Sequence, residues 1–246
     1  MKVNRHKGDR LTKLELNHTR LFYININGID NGNGDHSLLQ LCQHVQEVGV
    51  DIIRLTETNV HWKRTHVTSN FKQILQDIWP KDRIGTCTSE SNICWNSDYK
   101  SRGTAMISLN KVTSATINKG EDPSGLGRWT FMTLFGKKNS RTTIFNMYRQ
   151  FDSPIYSVGE ATVIKQQWLL LQEQRKDIHP HKAAIIDIIE AIKKKQKEGH
   201  EVLIALDGNE KFIQYKGGIA RLCHECKLHD PFTHLHGKEC KTNSQI

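Results

Sequence analysis

The pattern of hydrophobic and polar positions near the start of the chain predicts a strand, a helix and a second strand. Residues 20–26 (RLFYINI) are rich in aromatic and β-branched side chains, as a strand requires. Five apolar residues then share one helix face: Leu38, Leu41, Cys42, Val45 and Val48. Residues 50–55 form a second apolar run. A helix between two strands is a βαβ unit, so the two strands should lie parallel.

The middle of the chain has a different pattern, in which short β-rich runs are separated by Gly, Asn, Ser and Lys. These runs are residues 83–89, 103–109, 128–135 and 142–148. Such spacing favours antiparallel strands and hairpins. Further elements follow from periodicity and turn residues: helices over 71–78, 161–174, 183–197 and after Gly217-Gly218, and a buried strand over 201–206. The mixture predicts one α+β sandwich with helices packed on sheets.

Composition narrows the class of protein. The net charge of +9 favours a polyanionic partner, because each neutralised phosphate releases counterions. Residues 1–18 are expected to be a basic flexible arm, with one domain over 19–246. Six cysteines without a signal peptide favour a reducing, intracellular compartment. No apolar run approaches the ~18–20 residues of a membrane span, so a soluble protein with no membrane partner is expected.

Candidate chemistry lies just after four predicted strands, where loops project from a rigid edge. These strand ends carry amides, carboxylates and a phenol: Asn25, Glu57, Tyr148, Asp207 and Asn209. The set is rich in hard oxygen ligands, which suit Mg²⁺ or Mn²⁺ rather than zinc. We expect Glu57 and an amide to hold the metal, and Asp207 to orient or deprotonate a water molecule.

The same positions resemble the successive motifs of the endonuclease/exonuclease/phosphatase superfamily. The matching segments are Asn25–Gly28, residues 51–58 (DIIRLTET), Arg102–Thr104, Asn146–Tyr148 and residues 206–209 (LDGN). The branch that they resemble most is the apurinic/apyrimidinic-endonuclease-like domain of retroelement polyproteins. The segments 127–129, 166–168 and 228–230 resemble its spacing elements, and the similarity covers about residues 20–232.

The resemblance implies a four-layered α/β sandwich of the DNase I-like type that cuts DNA phosphodiesters with Mg²⁺. It implies that Glu57 is the principal metal ligand, that Asn25 supports the metal, and that Tyr148 contacts the scissile phosphate. Asp207 and Asn209 would position and activate the attacking water. Asn27 stands where the family often has a carboxylate. A retroelement domain also implies nuclear action and a reverse transcriptase domain in a longer polyprotein.

The chain departs from the family at its C-terminal motif. The family ends with an Asp-bearing strand and a Ser-Asp-His triplet, and no Ser-Asp-His occurs in this sequence. The sandwich is therefore expected to be incomplete at its C-terminus, as in a fragment, a truncated product or a degenerate copy. Low activity of the isolated chain is expected. The alternatives are a non-catalytic remnant that binds nucleic acid, and a small-molecule phosphodiesterase or inositol-phosphate phosphatase.

Other residues suggest contacts with a ligand. Arg102, Arg128 and Arg149 adjoin strand ends on the expected active face and are candidates for DNA contact. Trp95 lies in a polar loop, where it could stack on a base.

The C-terminal cysteines allow a competing interpretation as a zinc site. Cys223, Cys226, His236 and Cys240 have a composition that zinc sites use. However, Cys223 and Cys226 share a helical stripe with Ile219, which favours a reduced pair in the core.

Overall fold

The computed structural model describes residues 18–29, 36–92, 100–157, 159, 162–174, 176–210, 217–231 and 234. The expected N-terminal arm therefore lies outside the described residues, apart from His18. In the described part of the chain, no helix is both long and apolar enough to cross a bilayer.

The first sheet is built by the first part of the chain. Its four strands are β1 (Leu21–Asn25), β2 (Ile52–Thr56), β3 (Ile84–Ser89) and β4 (Thr104–Leu109), in the spatial order β1-β2-β4-β3. Helix α1 (His36–Glu47) connects β1 to β2, and α2 (Thr65–Ile78) follows β2. Strands β1 and β2 are parallel, with Asn25 opposite Thr56, which confirms the predicted βαβ unit. Strand β4 runs antiparallel to both of its neighbours.

The second sheet follows after a short crossover helix, α3 (Asn110–Ala115). Its strands are β5 (Thr116–Glu121), β6 (Trp129–Phe135), β7 (Arg141–Tyr148) and β8 (Glu201–Asp207), in that spatial order. The first three are antiparallel, as predicted. Strand β8 adds parallel to β7, with Tyr148 opposite Asp207. Three helices complete this half: α4 (Val163–Glu173), α5 (Pro180–Lys197) and α6 (Ile219–Cys226).

The two sheets pack face to face, and helices cover both outer faces. Helices α1 and α2 bury Leu38, Phe71 and Leu75 against the first sheet. Between the sheets lies a smaller apolar layer of Ile52, Cys87, Met106, Met132 and Ile144. Helices α5 and α6 cover the far side of the second sheet, against apolar residues of β6 and β7. The expected four-layered sandwich is therefore present.

A buried amide joins the two sheets close to one edge. Asn146 of β7 donates from Nδ2 to the carbonyl oxygens of Leu55 (2.8 Å) and Ala105 (3.1 Å), which belong to β2 and β4. Buried backbone and side-chain polar groups need such partners, since an unpaired group costs free energy. These bonds hold the carboxyl ends of β2 and β7 together, and the candidate site lies there.

Candidate active site

Four strands deliver the expected site residues to one edge of the sandwich. Asn25 is the last residue of β1, Tyr148 the last of β7 and Asp207 the last of β8. Glu57 follows β2 directly and is 6% exposed. Its φ of 53° lies in the left-handed region, which is unusual for glutamate and turns the chain away from the strand direction.

The Asn25 amide links two carboxylates that belong to different sheets. Its Nδ2 donates to Glu57 Oε1 at 2.9 Å and to Asp207 Oδ2 at 2.7 Å. The amide oxygen accepts from the backbone N–H of Asn27 at 3.0 Å, so the orientation of the amide is set by three partners. Asn25, Glu57 and Asp207 therefore form one hydrogen-bonded cluster at the ends of three strands.

Arg102 adds a cation to this cluster. Its Nη1 pairs with Glu57 Oε2, and the guanidinium lies over the Tyr148 ring with 5.1 Å from Cζ to the ring centroid. Of the three arginines proposed to contact DNA, it is the one whose side chain is partly exposed at the site, at 32%. The turn that carries it needs Gly103, because a Cβ there would lie 2.8 Å from the carbonyl oxygen of Ser89, at a φ of +92°.

Asn59 positions this turn; the sequence places it at the end of the second strand but assigns it no role. Its side-chain oxygen accepts from the backbone N–H of Arg102 at 2.6 Å, and its own N–H donates to the Arg102 carbonyl at 2.7 Å. The feature of the sequence that could have indicated this role is an asparagine in the turn after a strand, since asparagine tolerates the positive φ of 56° found here.

The phenol of Tyr148 stays protonated at neutral pH. Burial, reinforced by the negative charge of Asp207, raises the pKa of Tyr148 to about 12, although Arg102 opposes this shift. The hydroxyl is buried and makes no hydrogen bond with any described residue. Asn209 lies near enough to favour the phenolate slightly, but its Nδ2 donates to the carbonyl of Arg149 at 2.7 Å instead. The hydroxyl is thus a buried donor that no described residue uses.

Arg149 is a buried brace, which corrects the expectation that it contacts DNA. The side chain has no exposed surface: Nη1 pairs with Glu210, and Nη2 and Nε lie against His181 Nδ1 (2.9 Å) and the His181 carbonyl (3.2 Å). Its backbone N–H donates to the carbonyl of Asp207 at 2.9 Å. Burial and the adjacent cation lower the pKa of His181 to about 4, so the imidazole is neutral and can accept from Arg149. Arg149 therefore holds the loop of Asp207 and Asn209 in place.

Arg128 needs the same correction. Its side chain is fully buried, with Nε 2.6 Å from Asp122 Oδ2 and Nη2 2.7 Å from Asp187 Oδ2. The cation lies 4.7 Å from the Trp129 ring centroid. A buried arginine that is satisfied by two carboxylates stabilises the fold and offers nothing to a phosphate on the surface.

The donor set at the strand ends fits a hard divalent cation. Within the described ranges, no group of three or more His, Cys, Asp or Glu side chains is placed to hold a metal ion. Magnesium usually needs only one or two protein carboxylates, because it keeps several waters, and Glu57 and Asp207 supply two. Asn25 presents its N–H side to them. The oxygen of the amide points away from the two carboxylates. Asn25 can therefore act as a ligand only if its amide turns, so that its oxygen and both carboxylates surround one cation.

The competing zinc interpretation gains no support. Cys226 is fully buried in the core between α5 and α6, as the reduced-pair interpretation expected, and Cys223 is half-buried. His236, Cys240 and the candidate stacking residue Trp95 lie outside the described residues.

Comparison with solved structures identifies the type of fold. No family model matches the chain, and no curated protein matches it in sequence. Among solved structures, an endonuclease/exonuclease/phosphatase family protein from Leptotrichia buccalis C-1013-b has a TM-score of 0.50 at 10% identity, over 85% of this chain and 73% of that one. The fold is therefore the DNase I-like α/β sandwich of that family, as predicted.

Two further solved structures superpose on this chain with lower TM-scores. An AP endonuclease from Archaeoglobus fulgidus is 15% identical with a TM-score of 0.42, over 85% of this chain and 65% of that one. The human Nocturnin catalytic domain is 12% identical with a TM-score of 0.44, over 72% of this chain and 57% of that one. This chain thus spans less than two thirds of either protein.

Proposed function

We propose that this chain is a Mg²⁺-dependent phosphodiester hydrolase that acts on DNA, derived from a retroelement endonuclease. The observation that carries the proposal is the Asn25 amide, which joins Glu57 and Asp207 across two sheets at 2.9 and 2.7 Å. Two carboxylates this close, at the carboxyl ends of strands in a nuclease-type fold, suit metal-assisted hydrolysis.

Glu57 would hold the metal, with Asn25 beside it. When bound, Mg²⁺ or Mn²⁺ supplies Lewis acidity that polarises a phosphoryl oxygen and stabilises the leaving oxyanion. Asp207 lies on the neighbouring sheet, where its carboxylate can orient a water molecule and accept its proton. Asn209 keeps its side-chain oxygen for that water, because its Nδ2 is bound to the Arg149 carbonyl.

Two residues can bind the scissile phosphate. The phenol of Tyr148, which its pKa of about 12 keeps protonated, is buried, so it would donate a hydrogen bond to a phosphate oxygen only after the side chains over it shift. Arg102 lies beside it and carries a permanent charge in a fork geometry that matches phosphate.

DNA is the substrate that the charge favours. The net charge of +9 suits a long polyanion better than a small phosphate ester. A reverse transcriptase domain as partner and a nuclear site of action belong to the retroelement part of this proposal.

The test is nicking of supercoiled plasmid by the purified chain with Mg²⁺. We expect Glu57→Gln and Asp207→Asn each to abolish nicking, and chelation with EDTA to do the same. Arg141→Gln, at the opposite end of β7, is the matched control and should nick like the parent protein. An abasic duplex and a small phosphodiester are assayed in parallel. Hydrolysis of the small ester alone would contradict the choice of DNA.

A second candidate is a chain that binds nucleic acid without cutting it. It is favoured by one contact, the ion pair between Arg102 and Glu57, because a guanidinium already neutralises the expected metal ligand. Salt-sensitive binding of DNA without turnover at any Mg²⁺ concentration would support this candidate over the first.

A further inference from the structure

Two aromatic side chains are largely exposed directly after β7. Phe151 is 61% exposed and Tyr156 is 88% exposed. Large aromatic residues usually bury most of their surface, and exposed ones close together often mark a binding surface. These two are only five residues apart and follow Tyr148 in the chain.

A third ring and a cation extend this patch. Trp168 of α4 contacts Tyr156 edge to face, with 6.4 Å between ring centroids, and is itself half-buried. Lys165 lies one turn earlier on α4, with its Nζ 4.6 Å from the centroid of the Trp168 ring. We call Phe151, Tyr156, Lys165 and Trp168 the aromatic patch; the last three are in contact, and Phe151 belongs to it by its exposure and its place in the chain.

The aromatic patch lies at the same edge of the second sheet as the candidate site. Phe151 is three residues beyond Tyr148, so their Cα atoms are at most about 11 Å apart. Helix α4 is tied to the loop before β6 by Gln167 Nε2, which donates to the Leu126 carbonyl at 3.2 Å. That loop leads into Trp129, which pairs with Met147 at the site end of β7.

We propose that the aromatic patch stacks on unpaired nucleobases next to the scissile phosphate, in DNA or RNA. Only unpaired bases can offer a free π-face, since the faces of paired bases are stacked within the duplex. Lys165 would pair with a backbone phosphate, which favours a nucleic acid over an apolar protein partner. The placement beside a phosphate rests on the proposed function, whereas base stacking does not.

One acidic side chain lies next to the aromatic patch, and it is 65% exposed. Asp152 is the acidic neighbour of Phe151, and its two oxygens lie 3.7 Å from His179 Nδ1 and 3.9 Å from His181 Nδ1. The carboxylate is therefore directed toward the start of α5, and stacking by the rings, not charge at Phe151, carries the assignment.

Binding can be measured without hydrolysis. The full chain, in EDTA, is titrated into fluorescein-labelled unpaired oligonucleotides of about twelve nucleotides, one DNA and one RNA, and into a paired duplex of equal length. Fluorescence anisotropy gives the Kd. The variants are Phe151→Ala with Tyr156→Ala, Tyr156→Phe, and the control Phe135→Ala. Phe135 is 46% exposed at the opposite end of β6.

We expect the double variant to bind unpaired oligonucleotides at least about 30-fold more weakly, because two stacking rings are lost and each contributes roughly fivefold or more. Duplex binding should change less than about twofold, and Tyr156→Phe and Phe135→Ala should bind like the parent protein. A stronger effect on DNA than on RNA, or the reverse, identifies the source of the unpaired bases.

Three results would overturn the proposal. They are an unchanged Kd in the double variant, an equal loss for the duplex, and a parent protein that binds no unpaired oligonucleotide. Glu57→Gln separates the two proposals. If it binds unpaired strands normally while neither it nor the parent cuts DNA, the proposed hydrolase fails and the aromatic patch stands.

Discussion

Arg102 lies in the turn before β4 of the first sheet and Tyr148 ends β7 of the second, yet the Arg102 guanidinium lies over the Tyr148 ring at 5.1 Å from Cζ to the centroid. The same guanidinium pairs with Glu57. It therefore occupies the space between the expected metal ligand and the expected phosphate donor. Any cation that binds Glu57 has to compete with it.

Removing this arginine should strengthen metal binding. Arg102→Ala removes a positive charge next to Glu57, so we expect the Kd for Mn²⁺ to fall roughly 10-fold. This is less than the ~4 kcal/mol of two charges 4 Å apart at an effective dielectric constant of 20, because Arg102 is one third exposed. Titration calorimetry measures the Kd, with Arg141→Ala as control. An unchanged or weaker affinity would show that Arg102 and the metal do not share Glu57.

Tyr148→Phe should reduce hydrolysis without unfolding the protein. Loss of one hydrogen bond to the phosphate is expected to lower kcat/KM about 10- to 100-fold. Tyr23→Phe is the control, because Tyr23 is half-buried and its hydroxyl already contacts Thr56 Oγ1 at 3.1 Å, whereas the Tyr148 hydroxyl is buried without a partner among the described residues. The parent rate should show no loss from ionisation of the Tyr148 phenol up to about pH 10, since the pKa of Tyr148 is about 12. A Tyr148→Phe enzyme with full activity would remove this residue from the site.

Arg149→Met should destabilise the fold strongly. It leaves Glu210 buried without its cation, and breaking one partner of a buried pair costs about 3–5 kcal/mol. Adding Glu210→Gln removes the unpaired charge and should recover much of that loss. Urea unfolding measures the free energy of unfolding. Arg221→Met, which breaks the exposed pair with Glu225, should have little effect, and a loss equal to that of Arg149→Met would argue against the buried brace.

Acid should weaken the fold through His181. Its pKa is about 4 in the folded protein and about 6.5 in the unfolded chain, so the unfolded state binds more protons between these values. Stability is therefore full above pH ~6.5 and falls as the pH drops toward 4, by at most about 3 kcal/mol from this group. Urea midpoints are measured at the two ends of this pH range. The midpoint of His181→Asn should fall less than that of the parent. His44 is exposed, so the urea midpoint of the control His44→Asn should fall as far as that of the parent.

Most of the fold was predictable because its buried elements have strong patterns. Strands β2 and β4 are covered on both faces, so they read as continuous apolar runs, and α2 and α5 repeat apolar residues at helical spacing. The segment of α3 and β5 carries no such pattern and was missed. Strand β5 is an edge strand whose residues are mostly exposed, so its position comes from pairing with β6 rather than from its own hydrophobicity.

The site was predictable as far as strand ends converge, but side-chain direction was not. Successive residues of a strand point to opposite faces, so Tyr148 and the next residue, Arg149, cannot face the same surface. Tyr148 faces Arg102, and Arg149 faces His181 of α5. The acidic partners of Arg128 come from Asp122 and from Asp187 on α5, and no local pattern links those three positions. The positive charge of these arginines alone therefore predicted more DNA contacts than their side-chain exposure allows.

The link that Asn146 makes between the sheets has a consequence for how the chain could be divided. Each sheet comes from one continuous stretch, β1–β4 before α3 and β5–β8 after it, and Glu57 and Asp207 fall in different stretches. Each stretch also has its own apolar cluster beneath its own helices. The chain thus consists of two consecutive halves connected by residues 110–115. Glu57 and Asp207 come together only when the two halves are packed against each other.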